Sequence, residues 1–415
     1  MSGVRAGQAR TKPCWARIAE PLAAYGEGLR AELERLGYTP LTAAAQVRLV
    51  AHLSRWMVER DLTVSALTPA TVDAYFRDRR AAGYVNEVSP RALRPLLDYL
   101  RGLGVLAPPV PIAATSPVEM LLERYRDHLT VQRGLAATTV ELNVHLVRPF
   151  LAARAEEHSG RLELEDLTAV EVNAFVVAQS RQRPRSVKRI VTALRSLLGF
   201  LHMDGVIDGR VATAVPSPAG WTLAAIPQAL GADQVAALIA SCDRDTATGR
   251  RDAAILTVTA RLGLRAGEVA GLRLDDIDWR LGEITVRGKG NRHDRLPLPA
   301  DVGAVLVDYL RDGRPTGALD RAVFIRAQAP HRALTSGGVI QVVVVAGRRT
   351  GIGVIGAHRL RHSAATAMLA AGSSLQEIGQ VLRHARPATT AIYAKVDLDA
   401  LRTVARTWPQ TVGAA

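Results

Sequence analysis

The stretch 276-DIDWRLGEITVRGKGNRHDRLPLP-299 decides the fold class. Apolar and polar residues alternate along it, and the segments ITV (Ile284 to Val286) and RLPLP (Arg295 to Pro299) flank a glycine-rich turn at Gly288 and Gly290. That pattern predicts a hairpin rather than a helix. Helical patterning lies on both sides, so a small antiparallel sheet is expected within a helical domain. The whole chain is expected to be mainly α with this one small β element.

The bulk properties agree. The chain has 415 residues and only 4 % aromatics, so its cores must be built from Ala, Leu and Val, which suits packed helices. A chain of this length is expected to divide into two or three domains. The formal charge is +14, which favours a polyanionic partner and makes nucleic acid the first expectation. Only four of the 53 basic residues are lysines (Lys12, Lys188, Lys289, Lys395), so a compositional arginine bias is the competing explanation of the charge. The two cysteines, Cys14 and Cys242, have no metal-ligand spacing, and no disulfide framework, metal or cofactor is expected. The N-terminus lacks the apolar core of a signal peptide, and the longest apolar run, Val339 to Gly347, is too short to span a bilayer. A cytoplasmic protein with no membrane partner is expected.

Pro-rich breaks at Ala107 to Pro117 and Val215 to Gln228 divide the chain into blocks at 14–106, 118–212 and 228–409. The first two resemble each other. ALTPATVDAYF (Ala66 to Phe76) aligns without a gap on DLTAVEVNAFV (Asp166 to Val176), pairing Leu67 with Leu167, Val72 with Val172 and Tyr75 with Phe175. LLDYLRGLGVL (Leu96 to Leu106) matches LLGFLHMDGVI (Leu197 to Ile207), each read as a helix ending in a glycine-containing cap. The first block is therefore expected to be a diverged duplicate of the second. The second adds a basic stretch, 180-SRQRPRSVKRIVTALRS-196, in which Arg181, Arg183, Arg185, Lys188 and Arg189 are the expected phosphate contacts.

Four separated stretches carry candidate chemistry. In 357-AHRLRH-362, a helix starting near His358 puts His358 and Arg361 on one face, with Arg359 and His362 as local surface or packing groups. The cations at this helix start need an anion, either a structural carboxylate or a bound phosphate. In 260-ARLGLRAGEVAGLRLDDI-277, Glu268 is placed to hold the Arg265 guanidinium. Lys289 sits at the hairpin tip, with Arg292 close by. In 380-QVLRHARPATTAIYAKV-396, His384 lies near a helix end and Tyr393 follows nine residues later.

Taken together, Arg265, Lys289, His358 with Arg361, His384 and Tyr393 resemble, in order and spacing, the pattern of the tyrosine recombinase (phage integrase) family. The resemblance is close over roughly 228–409 and looser over 118–208, which corresponds to the family's helical core-binding domain. It implies a mixed α+β catalytic domain behind helical core-binding domains. It also implies a site-specific recombinase that cuts and rejoins duplex DNA through a 3′-phosphotyrosine on Tyr393, acting as a homotetramer on synapsed sites, alone or with a partner recombinase or accessory factor. Two forked guanidiniums, Arg265 and Arg361, would stabilise the extra negative charge of a pentacoordinate phosphorus in place of a metal. By analogy Lys289 protonates the leaving 5′-oxygen, His358 accepts the phenolic proton or orients the ring, and His384 bonds a nonbridging oxygen. A nucleoid-associated location follows from the same resemblance.

Three departures accompany it. Ser363 stands where the family usually has Thr. Arg383 stands where it usually has Gly, and is expected either to contact a phosphate or to face solvent. The block 14–106 has no counterpart in minimal members. The segment Asp397 to Pro409 reads as an amphipathic helix that either folds back on its own domain or docks on a neighbouring subunit. The competing functions are a type IB topoisomerase-like relaxing enzyme and a non-catalytic DNA-binding accessory factor.

Overall fold

The computed structural model describes residues 15–108, 116–184, 186–216, 228–288, 292–318, 320–384 and 386–396. The chain forms two compact units, one built from residues 1–108 together with 226–415, the other from 109–225. Arg185, Lys289 and the proposed helix 397–409 lie outside the described residues. Among the described residues no helix is long and apolar enough to cross a membrane.

The 109–225 unit is all helical. Pro117–Asp127 runs into a wide turn at His128–Gln132, and Ala137–Glu157, Ala169–Gln182, Val187–Met203 and Gly209–Thr213 follow. Its core is aliphatic, centred on Val144, Val147, Leu151, Leu194, Leu197 and Leu198. Buried Arg154 ties this core to the surface by ion pairs to Asp166 and Glu171.

In the other unit, residues 15–108 supply helices Gly26–Arg35, Pro40–Val58, Pro69–Ala81 and Arg94–Gly102 around their own apolar cluster. Local signals repeated between the two helical blocks have matching conformations. Thr68 and Thr168 each cap the next helix, bonding the amides of Thr71 and Glu171. Gly104 (φ +73°) and Gly205 (φ +74°) each follow a helix end in the left-handed conformation. Residues 15–108 touch the C-terminal block, 228–409, where the His331 amide donates to the Leu36 carbonyl at 3.1 Å and Arg332 faces Asp98 at 3.8 Å.

In the C-terminal block, helix Ala247–Leu262 is buried nearly all round, with Ala254, Ile255, Leu256, Val258 and Thr259 excluded from solvent. A helix apolar on every side must sit inside its neighbours. Here these are Ala300–Asp312 and Ala357–Ala370. The sheet has three antiparallel strands in sequence order: β1 (Ile277–Asp278), β2 (Glu283–Arg287) and β3 (His293–Pro297). On β2, Ile284 and Val286 point into the core while Glu283, Thr285 and Arg287 alternate outward. Ile284 pairs with Leu296 and Arg287 with His293. The hairpin base is fixed by Arg287, which meets the buried carboxylate of Asp276 at 2.6 Å.

Candidate active site

The site is assembled where the central helix stops. Helix Ala247–Leu262 ends at Gly263, whose φ of +59° turns the chain back on itself. A Cβ there would lie 2.4 Å from a Leu382 methyl, so a side chain would add to an already left-handed backbone a clash that Leu382 must relieve. The turn delivers Arg265 to the cap of the short helix Ala266–Ala270. Glu268, three residues on, accepts from the Arg265 amide at 2.9 Å and from its guanidinium at 2.6 Å. The carboxylate is 6 % exposed, whereas the Arg265 side chain keeps 42 % of its surface open. The expected Arg265 to Glu268 contact is thus present.

Arg361 lies on helix Ala357–Ala370 and is 1 % exposed. Its guanidinium donates to the carbonyls of Gly263 and Leu382, which end two different helices and carry the partial negative charge of helix C-termini. Burial, reinforced by nearby Arg265, lowers its pKa to about 10, so it stays charged at neutral pH.

Three histidines gather beside it. His358 is the most open, and its ring meets His362 edge to face at 4.5 Å. His384 shares a 2.7 Å hydrogen bond with the Thr390 hydroxyl and lies nearly parallel to the Tyr393 ring at 6.4 Å. Burial first, then the positive charges around them, keep all three imidazoles neutral, with His362 and His384 pushed down to about 4.

Tyr393, on the 3₁₀ turn Ala391–Val396, is 1 % exposed and packs on Ala365, Ile378 and Leu382. Burial raises its pKa, so the phenol is protonated, and its hydroxyl shares a 2.8 Å hydrogen bond with Nδ1 of the neutral His362. This corrects the reading of His362 as a local packing group. On a helix the residue four after His358 shares its face as fully as the residue three after it. Arg359 does stay local, its Nε donating to the Gln228 carbonyl at 3.0 Å.

A cleft of about 1090 Å³ adjoins these groups, lined by Arg265, Glu268, Arg292, Arg383 and His384 among others. The hairpin closes at its rim, where the Gly288 amide donates to the Arg292 carbonyl at 2.8 Å. Arg383 fits neither alternative expected of it. Its guanidinium is turned inward, 7 % exposed, and meets Glu268 at 2.7 Å. On the other unit, Arg181, Arg183, Lys188 and Arg189 are exposed, and none pairs with a carboxylate among the described residues.

A helical fold with one small hairpin sheet thus brings guanidiniums, imidazoles and a phenol together beside this cleft, the arrangement of a DNA strand-cleaving and rejoining class of protein. This chain belongs to the phage integrase family, whose profile matches residues 228–399. It is 42 % identical over 378 residues to the integrase/recombinase y4rA of Sinorhizobium fredii, covering 90 % of this chain and 91 % of that one. A match that long necessarily reaches into the N-terminal block. The tyrosine recombinase XerD of Mycobacterium tuberculosis is 32 % identical over 301 residues, covering 68 % of this chain and 95 % of its own. In fold, the chain resembles the XerH site-specific recombinase solved in a post-cleavage complex with palindromic difH (TM-score 0.54, 16 % identity, covering 80 % of this chain and 93 % of XerH). It also resembles lambda integrase solved as a tetramer on a Holliday junction (TM-score 0.51, 16 % identity, covering 75 % of this chain and 86 % of that one).

Proposed function

We propose that this protein is a site-specific recombinase that cleaves and rejoins duplex DNA through a 3′-phosphotyrosine, in the integration, excision or resolution of DNA on the nucleoid. The observation that carries the reading is the convergence of Arg265, Arg361, His384 and Tyr393, drawn from three separate stretches of chain, beside a cleft that Arg265 and His384 line. Arg265 offers an exposed guanidinium to a nonbridging oxygen. Arg361 supplies fixed charge from below, and His384 offers its imidazole beside them.

For reaction, the Tyr393 hydroxyl leaves His362 and turns toward the cleft. The phenolic oxygen adds to phosphorus as its proton passes to His358, which is neutral and open enough to receive it. The bond from phosphorus to the 5′-oxygen breaks, and Lys289 protonates that oxygen. A 5′-hydroxyl of another strand reverses the step, so the phosphodiester energy is kept without ATP. Arg181, Arg183, Arg185, Lys188, Arg189 and Arg292 hold backbone phosphates, and four copies assemble on two synapsed sites. Residues 14–106 are a diverged copy of 118–212 that lengthens the contact with DNA, a reading supported by the paired Thr caps and glycine stops.

The test begins by selecting bound duplexes from a randomised pool and converting them to nicked suicide substrates. Wild-type protein should form a covalent complex stable to denaturant, and Tyr393→Phe should form none. Binding without covalent product would assign the chain to the accessory factors. Relaxation of supercoiled plasmid with no joined product would assign it to relaxing enzymes.

A further inference from the structure

Arg383 stands out from the rest of the cleft. Four non-glycine residues among those described have φ between +52° and +56°, and one of them, Arg383, has a charged side chain only 7 % exposed. A left-handed backbone strains a bulky side chain, and glycine would relieve it. Something must hold the arginine there. Its Nη2 donates to Glu268 Oε2 at 2.7 Å and its Nη1 to the Val381 carbonyl at 3.1 Å. Its Nε is buried without a hydrogen-bond partner among the described residues. That is a second local cost accepted to keep the guanidinium in place.

Glu268 shows what the cost achieves. This buried carboxylate takes Arg265 on one oxygen and Arg383 on the other. Paired with Arg265 alone, it would cancel the charge that Arg265 presents to the cleft. Shared between two guanidiniums, it leaves the trio with a net positive charge, while its hydrogen bonds still fix the direction of Arg265. We infer that Arg383 is a positioning residue that acts through Glu268, offsetting its charge so that Arg265 meets a phosphodiester as a full cation. The inference rests on the recombinase reading of the cleft.

The test measures single-turnover formation of the covalent complex, and separately equilibrium binding of the same duplex across salt concentrations, for full-length protein. Arg383→Gly should fold at least as stably as wild type, because it removes the backbone strain. Its cleavage rate should fall about ten- to a hundred-fold, the worth of one charge-assisted hydrogen bond, while affinity and its salt slope stay unchanged. Arg383→Lys should keep most of the rate and Arg383→Gln should not. In a Glu268→Gln background, where no carboxylate needs offsetting, Arg383→Gly should cost much less than in wild type.

Wild-type rates in Arg383→Gly would overturn the inference. So would a salt slope reduced by about one phosphate, or an undiminished loss in the Glu268→Gln background, since each would put Arg383 directly on DNA. Should Glu268→Gln not fold, the Lys and Gln comparison at position 383 decides alone, and equal losses there would overturn the inference. A wild-type protein that forms no covalent complex overturns the recombinase reading and this inference together. Failure confined to the variants leaves the former standing.

Discussion

His362 shows what can and cannot be read from six letters. Counting i to i+3 from His358 selects Arg361 and passes over the next residue, yet His362 is the side chain that touches the buried phenol. A helical wheel places it on the same face; which neighbour fills that face depends on Tyr393, 31 residues later, and no local pattern reports such a contact. Replacing His362 with Leu should leave the phenol unsatisfied and lower stability by about 1–3 kcal/mol. Tyr393→Phe should lose much less in that background than in wild type, as measured by a double-mutant cycle in urea. The pair Arg265 and Glu268 was legible because both partners lie within one helical turn. The inward turn of Arg383 was not, because its partner is 115 residues away.

At the scale of elements, the stop signals govern the site. Gly263→Ala should be destabilising by about 1–3 kcal/mol in denaturant unfolding, since it adds both backbone strain at φ +59° and a clash with Leu382. Because Gly263 also accepts a hydrogen bond from Arg361, the loss should extend to cleavage rate. On the proposed reading, the basic stretch entering helix Val187–Met203 contributes to binding independently of the chemistry. Replacing Arg181, Arg183, Lys188 and Arg189 together by Ala should lower the salt slope of duplex binding by roughly 3 to 4 while the melting midpoint stays within a degree or two, since all four side chains are exposed. The hairpin was plain from its period-two pattern and glycine turn. Helix ends were plain at Gly104 and Gly205, where cap chemistry is local. The wide turn at His128–Gln132 left no such mark, because it only stretches an otherwise continuous helical register.

Over the whole molecule, buried imidazoles link stability to pH. His362 and His384 titrate near pH 4 when folded and near the ordinary 6.5 when unfolded. Between those values the unfolded chain binds more protons, so stability is steady above about pH 6.5 and declines as pH falls toward 4. Urea midpoints at pH 7, 6, 5 and 4.5 should trace this decline, and a protein with both His362→Asn and His384→Asn should show a shallower one. The association of residues 15–108 with the catalytic block was hidden in the sequence, because it depends on Leu36 meeting His331 and Asp98 meeting Arg332 across more than two hundred intervening residues. Neither end carries a signature of its partner.

On the proposed mechanism, the inward-facing hydroxyl of Tyr393 gives the resting protein a safety catch. A recombinase that meets DNA away from its target would nick it wherever a phenol stood within reach of a passing backbone. Tucked against an uncharged imidazole beneath a lid of aliphatic carbons, the attacking group is harmless by default, and each round of cutting must begin with an act of exposure.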